Sequence, residues 1–415
     1  MVQIKRFTMI QLLKIAFRDL GRNRRRSFFS ALAVAMGLAL LLLMAAFITG
    51  EMDSAMDTTI RLQSGHMQIR AQSYDESKTS LKWEDLIEAP DQIAGQLASL
   101  AQVKAASPRL FASGIVAARN ESAGVRIVGF DPLSAANDPY REGLVTGEFI
   151  AADDREGILI GSPLADKMGL SVGDQIQLSA NTSNGDVTEQ LFTIRGIYST
   201  QTNSFDTATV FLPLAKAQAM TQTENHASTI FVLLNDKEQT GAVAAALQSS
   251  QYKVLTWTEM NDLIIQTENM ANGYMVLFYL IVLGITATVI VNTLIMAVFE
   301  RTREIGILAA IGMKGRRIMA MFLAESSLLA VGGILMGLVL GVLIVGYFTR
   351  YGFYVGNMAV GGGGFLIRDT IYTQLTLNDT VSLTIMAFII TLLAGLYPAV
   401  LASRMEPVEA LRAEK

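Results

Sequence analysis

The chain has 415 residues, of which 51% are hydrophobic and only 17% are charged, and its formal net charge is −4. Its mean hydropathy of +0.38 is high for a soluble protein and indicates membrane-embedded segments. The sequence contains no cysteine, which excludes disulfide bonds and thiolate metal sites. His66 and His226 lie far apart without a metal-ligand pattern, so we expect no metal site. We also expect no cofactor bound by this chain and no nucleic-acid partner.

Residues 1–26 are predicted to form a cytoplasmic amphipathic helix along the inner membrane surface. Apolar side chains recur there at helical spacing, with Lys and Arg between them. These apolar side chains are Ile4, Phe7, Ile10, Leu13, Phe17 and Leu20. A cleaved signal peptide is the less favoured alternative, because the apolar run that follows is longer than the roughly 7 to 15 residues of a signal peptide.

The sequence contains four long apolar runs, each longer than the roughly 20 residues that a helix needs to cross the hydrocarbon core. We place transmembrane helices at 27–50, 273–299, 318–348 and 380–402. Glu325 is the only charged residue inside these spans. Because a carboxylate facing lipid is unfavourable, Glu325 is expected to face a protein interior or water.

The distribution of basic residues predicts the orientation. Residues 1–26 contain eight Lys or Arg, the segment 300–317 contains five, and the tail 403–415 contains three. By contrast, residues 51–272 contain 15 basic and 28 acidic residues, and the loop 349–379 contains only two basic residues. The positive-inside rule therefore places both termini and the segment 300–317 in the cytoplasm, in a multi-pass protein of the cell inner membrane.

Residues 51–272 have the composition of a folded domain outside the membrane. Residues 162–169 have a helix start and a glycine stop, and the segments 172–178 and 191–198 alternate as strands. They belong to a β-rich module at about 121–206. The sequence thus predicts an α-helical membrane protein with four transmembrane helices and a large mixed α/β extracytoplasmic domain inserted between the first and second.

Glycines in the third span predict close helix packing. Gly333, Gly337 and Gly341 are spaced four residues apart and form one smooth helix face. The spacing leaves open whether this face packs against a second chain or against another span of the same chain.

The segment 300–317 is predicted to be a cytoplasmic amphipathic helix that docks a partner protein. The charged side chains of Arg301, Arg303 and Glu304 would form ion pairs with a cytosolic partner, while small and apolar residues offer a docking knob and permit close approach. The apolar knob comprises Ile305, Leu308, Ala309 and Ile311, and the small residues are Gly306, Ala309, Ala310 and Gly312. The candidate coupling residues also include Ile307. The alternative is a basic loop that only anchors the topology.

Three motifs carry a resemblance to a known family. They are Arg301-Thr302-Arg303-Glu304-Ile305-Gly306 with Ala310-Ile311-Gly312, the module Gly161-x-x-Leu164-Ala165-x-x-x-Gly169-Leu170-x-Val172-Gly173-Asp174-x-Ile176, and the tail Pro407-x-x-Ala410-Leu411-Arg412. With one large domain between the first two spans, the whole chain resembles the MacB/FtsX-type permeases of ABC transporters, a group that includes the lipoprotein-releasing permeases LolC and LolE.

The resemblance implies that separate subunits form the ATPase and the permease. The segment 300–317 would be the coupling helix that sits in a groove of an ABC ATPase subunit, which is expected in two copies and binds ATP and Mg. A second permease chain, identical or related, would complete the complex. Because the sequence has no phosphate-binding loop, this chain is expected to be a permease subunit without its own ATPase site.

The expected mechanism is mechanical transmission from the ATPase to the outer domains, because the predicted spans offer little polar lining for a hydrophilic conduit. A lipoprotein or other amphiphile would enter from the outer leaflet between the first two spans of partner chains, at an apolar mouth formed by the outer ends of these spans. Its candidate residues are Leu43, Met44, Phe47, Met52, Tyr274, Met275, Phe278 and Ile281. The alternatives are efflux of peptides or drugs, FtsX-like regulation of a cell-wall hydrolase, and a membrane-anchored adhesion or sensor domain, which would not need the central hinge.

Overall fold

The computed structural model describes residues 9–22, 24–75, 79–248, 251–355 and 366–406. The chain divides into two compact units, a helical unit of Met1–Glu51, Asn269–Phe353 and Tyr372–Lys415, and a mixed α/β unit of Met52–Glu268 and Tyr354–Ile371. Ile4, Phe7 and the tail motif that begins at Pro407 lie outside the described residues.

The α-helices are α1 (Met9–Arg22), α2 (Arg24–Thr59), α3 (Pro90–Ala98), α4 (Asp138–Glu142), α5 (Ser162–Met168), α6 (Asn203–Ala208), α7 (Leu214–Thr221), α8 (Thr240–Leu247), α9 (Trp257–Met260), α10 (Asp262–Glu300), α11 (Thr302–Ala310), α12 (Gly315–Tyr351) and α13 (Leu377–Ser403). Four of them, α2, α10, α12 and α13, are long and apolar enough to cross a membrane within the described part of the chain. They extend beyond the predicted spans, since α2 continues past residue 50 and α10 begins before residue 273.

The strands are β1 (Met67–Ala71), β2 (Ile87–Glu88), β3 (Val103–Ala118), β4 (Glu121–Phe130), β5 (Leu144–Gly147), β6 (Gly157–Gly161), β7 (Gln175–Asn181), β8 (Val187–Tyr198), β9 (Thr209–Pro213), β10 (His226–Ala227), β11 (Thr229–Leu234), β12 (Tyr252–Thr256), β13 (Phe353–Tyr354) and β14 (Thr370–Ile371). Helix α5 ends before Gly169, whose φ of +61° gives the glycine stop that the sequence predicts. The predicted strand 172–178 begins later, at Gln175, because Gly173 with a φ of +93° belongs to the preceding turn.

The helical unit is a bundle that contains both antiparallel and parallel helix pairs. Helices α2 and α10 run antiparallel, with the Ser30 hydroxyl donating to the Thr293 hydroxyl at 3.0 Å. Helices α12 and α13 also run antiparallel, and the Ser326 hydroxyl donates to the carbonyl of Thr391 at 3.2 Å. Helices α2 and α12 are parallel, because Gly333 contacts Val34 and Gly341 contacts Leu42.

One end of this bundle, called the basic end below, collects the start of α2, the end of α10, helix α11, the start of α12 and the end of α13. A Cβ at Gly315 would lie 2.7 Å from the carbonyl oxygen of Ser403, so α12 and α13 meet there closely. Basic residues concentrate at this end. They are Arg22, Arg24, Arg25, Arg26, Arg301, Arg303, Lys314, Arg316, Arg317 and Arg404.

The mixed α/β unit is organised by a ten-stranded sheet with the path β12-β1-β11-β3-β4-β9-β6-β8-β5. Strand β7 pairs with both β3 and β8 and therefore closes β3, β4, β9, β6, β8 and β7 into a ring. The interior holds a continuous apolar core that includes Val116, Ile127, Ile160, Leu178 and Phe192. The ring spans residues 103–213, so it is wider than the predicted module at about 121–206.

Helix α2 ends in a π-helical turn, Ile60–Ser64, and Gly65 then turns the chain into β1. Gly65 has a φ of +67°, a backbone conformation that favours glycine. Leu62 of this turn packs into an aromatic core of the mixed α/β unit, where the ring centroid of Phe211 lies 4.3 Å from that of Tyr140 and 5.0 Å from that of Tyr198. The end of α2 is therefore fixed by packing inside this unit.

Candidate coupling site

Helix α11 is a short helix with a defined end, and it lies between two of the long helices. Gly312 follows it with a φ of +94°, the amide of Gly312 donates to the carbonyl of Ala309, and the amide of Met313 donates to the carbonyl of Leu308, each at 3.0 Å. These two hydrogen bonds define a Schellman motif, which terminates a helix and favours glycine at this position. Gly312 therefore ends α11, a role beyond the close approach that the sequence suggested.

The two faces of α11 have different surroundings. Ile305 and Gly306 are buried, and Ile305 packs in a cluster with Val298 of α10 and Phe322 of α12. The opposite face is open, with Ile307 48% exposed and Ile311 68% exposed. Helix α11 is thus held to its own bundle on one side and offers an apolar surface on the other.

Arg303, Glu304, Ala310 and Gly312 are also exposed. Together with Ile307 they are the candidate coupling residues that a second protein could reach. Ile305 and Gly306 were predicted to face a partner, but their burial gives them an internal packing role. Isoleucine at this position packs inside the bundle because burying an aliphatic side chain stabilises the fold by about 1.5–3 kcal/mol.

Arg301, which precedes α11, forms a buried ionic cluster instead of a surface pair. Its Nη1 lies 3.0 Å from the Asp19 carboxylate of α1 and 3.6 Å from the Glu325 carboxylate of α12. The Arg301 side chain is only 3% exposed. The expectation that Arg301 pairs with a cytosolic partner therefore differs from the structure, because two carboxylates of its own chain surround it.

Glu325 faces the protein interior, as expected for the only charged residue of the predicted spans. Its carboxylate oxygen Oε2 is opposite the Arg301 guanidinium. A charge in such a place needs a counter-charge, because removing either partner leaves the other buried and unpaired. The pair therefore fixes α12 to the junction between α10 and α11.

Two exposed ion pairs connect the N-terminal region with the same junction. Arg22 of α1 lies 2.9 Å from Glu304 of α11, and Arg26 of α2 lies 2.5 Å from Glu300 of α10. The hydrogen bond with Glu304 raises the pKa of the Arg22 guanidinium above its ordinary value. Exposed pairs of this kind are screened by salt and contribute little stability each, so their main effect is on geometry.

The glycines of α12 pack inside the chain. A Cβ at Gly333 would lie 2.6 Å from the Cβ of Val34, and a Cβ at Gly337 would lie 2.9 Å from the carbonyl oxygen of Ala35. Gly341 makes the same kind of contact with Leu42. The glycine face therefore joins α12 to α2, which resolves the question that the spacing left open.

The candidate substrate mouth is only partly open. Tyr274 and Ile281 on α10 are exposed, whereas Met275 and Phe278 pack against the apolar core of the bundle. Leu43, Met44 and Met52 on α2 are half-buried. The Phe47 ring lies 6.0 Å from the ring of Phe353 in an edge-to-face contact.

Sequence reasoning missed three contributors to the helical unit. Asp19 pairs with Arg301, and Gly37 lets α2 approach α10 so closely that a Cβ there would lie 2.6 Å from the Thr286 hydroxyl oxygen. Glu300 fixes Arg26. An isolated carboxylate within a basic helix is the one sequence signal that could have pointed to Asp19.

Comparison with known proteins assigns the chain to a family. Residues 27–250 match the MacB-like periplasmic core domain, and residues 276–407 match the FtsX-like permease C-terminal domain. The first match alone covers more than half of the chain. The protein therefore belongs to the MacB/FtsX-type permeases of ABC transporters.

Within this family it is similar to the lipoprotein-releasing permeases. It is 23% identical to the lipoprotein-releasing system transmembrane protein LolC of Neisseria meningitidis serogroup B, over 96% of this chain and 98% of the relative. It is 22% identical to LolE of Haemophilus influenzae, over 92% of this chain and 93% of the relative. It is also 24% identical to the macrolide export ATP-binding/permease protein MacB of Bdellovibrio bacteriovorus, over 98% of this chain and 62% of the relative.

Proposed function

We propose that this permease transmits the energy of ATP hydrolysis, supplied by a separate ATPase subunit, into movement of its large domain outside the membrane. The observation that carries the proposal is the two-sided environment of α11. One face is anchored by Ile305 and by the neighbouring Arg301, while Ile307 and Ile311 form an exposed apolar surface. A force applied to the exposed face therefore acts on α10 and α12 together.

The lengths of α10 and α2 support the transmission of movement across the membrane. At about 1.5 Å per residue, the 39 residues of α10 extend over roughly 58 Å, compared with about 30 Å of hydrocarbon. Helix α2, with 36 residues, extends over roughly 54 Å. Both helices continue without interruption into residues of the mixed α/β unit. A continuous helix transmits displacement better than a flexible linker does.

The positive-inside rule supports the proposed orientation. The basic end of the helical unit faces the cytoplasm, together with both termini and α11, and the acidic mixed α/β unit faces outward. Two ATPase subunits and a second permease chain complete the complex. The exposed face of α10, including Tyr274 and Ile281, is then available to lipid, to the second chain or to the acyl chain of a substrate.

We propose extraction of a lipoprotein as the work that this movement performs. The support is the similarity to LolC and LolE over nearly the full length of both chains. The second candidate is efflux of a peptide or drug, which the similarity to MacB supports. Release of a lipid-linked polypeptide from proteoliposomes favours extraction, whereas ATPase stimulation by a macrolide without such release favours efflux. A copurified cell-wall hydrolase favours the regulator alternative.

The coupling proposal is tested with the double variant Ile307→Asp/Ile311→Asp in the full-length chain. We expect loss of copurification of the ATPase subunit, because two carboxylates would replace the apolar docking surface. Leu133→Asp is the matched control, since Leu133 is an exposed aliphatic residue of the mixed α/β unit. Unchanged ATPase binding in the double variant would refute the docking role and favour the basic loop that only anchors topology.

The orientation is tested separately, and the absence of native cysteine makes the test simple. Cysteine introduced at Lys314 should resist a membrane-impermeant thiol reagent in spheroplasts, whereas cysteine at the exposed Glu238 should react. Labelling at position 314 from outside would contradict the cytoplasmic placement of α11, and labelling at position 314 without labelling at position 238 would indicate the reverse topology.

A further inference from the structure

Four arginines line one cavity at the basic end, where α1, α2 and α10 meet. The cavity has a volume of about 650 Å³. Its walls are Gly21 and Arg22 from α1, Arg24, Arg25 and Arg26 from α2, and Glu300 from α10. The cavity is widely open to solvent, and the arginines line a space large enough for a ligand headgroup.

The charge in this cavity is only partly balanced. Glu304 pairs with Arg22, and Glu300 pairs with Arg26, so these two arginines are held in place by carboxylates. Arg24 donates to the carbonyl of Gly21 at 3.2 Å, and neither Arg24 nor Arg25 pairs with a carboxylate among the residues that the structure describes. Two exposed guanidinium groups thus remain for an anionic ligand.

The apolar surroundings restrict the kind of anion. Phe28 and Phe29 lie one helical turn after Arg24 and Arg25, so they project on the same side of α2. Phe28 is 53% exposed and Phe29 is 65% exposed. Phe299, directly before Glu300 on α10, is exposed as well. A ligand that matches this arrangement has a negatively charged head and an apolar tail.

We propose that this cavity binds the phosphate headgroup of an anionic phospholipid. The phosphate lies between Arg24 and Arg25, since guanidinium groups bind phosphate oxygens in a bidentate manner. The acyl chains lie along Phe28 and Phe29. An acidic surface of a soluble protein supplies the charge but no acyl chain to cover these two rings, so the geometry favours a lipid.

This site adds a lipid contact to the permease that is independent of its substrate. Arg22 and Arg26 line the same cavity and pair with Glu304 and Glu300. The bound headgroup therefore lies beside the junction that positions α11. Anionic lipid would therefore hold the start of α2 and the end of α10 together at the membrane surface.

The proposal is tested by native mass spectrometry of the full-length chain in detergent micelles, with dioleoylphosphatidylglycerol and dioleoylphosphatidylcholine as probes. We expect phosphatidylglycerol to bind about tenfold more tightly than phosphatidylcholine, and Arg24→Gln/Arg25→Gln to lower its affinity by about tenfold or more. Arg24→Lys/Arg25→Lys keeps the positive charge and should retain most of the affinity, which separates loss of charge from loss of folding.

The matched control is Arg316→Gln/Arg317→Gln, which removes the same charge from the basic end outside the cavity. Its affinity for phosphatidylglycerol should stay within about twofold of the wild-type value, because surface charge away from the site acts only through screened interactions. An equal loss in both double variants would overturn the site and leave only general attraction of anions.

Two further measurements identify the source of the anion. Phe28→Ala/Phe29→Ala should weaken phosphatidylglycerol binding, and inorganic phosphate at millimolar concentration should not displace the lipid. Displacement by phosphate, with no effect of the phenylalanine variant, would overturn the lipid in favour of a soluble phosphate. Loss of ATPase-subunit capture in Arg24→Gln/Arg25→Gln, with unchanged lipid affinity, would overturn it in favour of a protein partner.

Discussion

The Arg301 guanidinium lies 3.6 Å from the Glu325 carboxylate, and both side chains are buried in the helical unit. Arg301 immediately precedes α11, and Glu325 lies within α12, so this pair fixes the coupling helix to the next long helix. Asp19 joins the pair from α1. The buried cluster therefore connects three helices at the end of the bundle where the proposed ATPase docks.

Arg301→Met is expected to destabilise the chain by about 3 kcal/mol, because it leaves the Asp19 and Glu325 carboxylates without their buried cation. Chemical unfolding of the full-length protein in micelles, followed by circular dichroism, measures this change. Arg303→Met is the matched control and should change stability by less than about 0.5 kcal/mol, since Arg303 is exposed. Arg301→Met/Glu325→Met should be more stable than Arg301→Met, because the unpaired Glu325 carboxylate is removed as well. A double variant whose loss of unfolding free energy exceeds the sum of the losses in the two single variants would contradict the pairing.

Gly337→Ala is expected to lower the melting temperature of the helical unit. A Cβ there would lie 2.9 Å from the carbonyl oxygen of Ala35, so α2 and α12 would have to separate. Gly332→Ala on the same helix is the matched control, because a Cβ at Gly332 would have no neighbour within 4 Å among the described residues, apart from the adjacent turns of its own helix. It should leave the melting temperature unchanged or raise it, since alanine favours a helix by about 1 kcal/mol over glycine. Equal effects in the two variants would argue against the glycine interface.

Arg109→Met is expected to loosen the π-helical turn Ile60–Ser64 within the mixed α/β unit. The buried Arg109 guanidinium donates to the Leu62 carbonyl and the Asn137 side-chain oxygen, each at 2.9 Å, and it stacks 3.6 Å from the Phe231 ring centroid. Losing these hydrogen bonds leaves the buried Asn137 oxygen unsatisfied, which costs about 1–3 kcal/mol, whereas the Leu62 carbonyl keeps the hydrogen bond that the Tyr140 hydroxyl donates.

Hydrogen–deuterium exchange of residues 60–64 measures this loosening, and we expect faster exchange in Arg109→Met. Arg119→Met is the control, since the Arg119 side chain is exposed and pairs with Asp174 at the surface. Unchanged exchange in Arg109→Met would show that the aromatic core alone holds the turn.

The buried Asp206 carboxyl predicts that the stability of the mixed α/β unit depends on pH. Burial raises the pKa of its carboxyl to about 6, and hydrogen bonds from Thr200 and Ser199 oppose the shift only in part. The folded state then binds more protons than the unfolded state between about pH 4 and pH 6, so the free energy of unfolding falls as pH rises through this window. The free energy of unfolding falls by about 3 kcal/mol in total, and this loss is complete above about pH 6, where the buried Asp206 carboxylate is ionised.

Asp206→Asn should remove this slope, and Asp153→Asn, which changes an exposed carboxyl, should preserve it. Tryptophan fluorescence of the full-length protein gives the measurement, because Trp83 and Trp257 are the only two tryptophans and both belong to the mixed α/β unit. A wild-type stability that rises with pH across the window would contradict the assignment to Asp206.

Much of the architecture was predictable because it depends on local patterns. Apolar runs longer than a bilayer crossing indicated the four long helices, and the glycine after Met168 indicated the end of α5. The helix ends were harder to predict. Helices α2 and α10 continue into polar sequence such as Asp53 and Glu268, where hydropathy no longer marks a helix.

The candidate coupling site was predictable in position but not in orientation. The sequence placed Arg301, Ile305 and Ile307 on one short amphipathic helix, yet it did not distinguish the buried face from the exposed face. That distinction depends on α12 and α13, whose side chains cover Ile305. The closure of the strand ring by β7 is equally non-local, since β7 pairs with β3, far away in the sequence.

The sequence by itself determined the number of apolar helices, the concentration of basic residues around them and the family motifs, because hydropathy, charge and helical period are properties of neighbouring residues. The tertiary structure alone decided which charges are paired. Arg301 reaches Asp19 across 282 positions of the chain, and only the folding of α1, α10 and α12 into one bundle brings these oppositely charged groups within 3.0 Å.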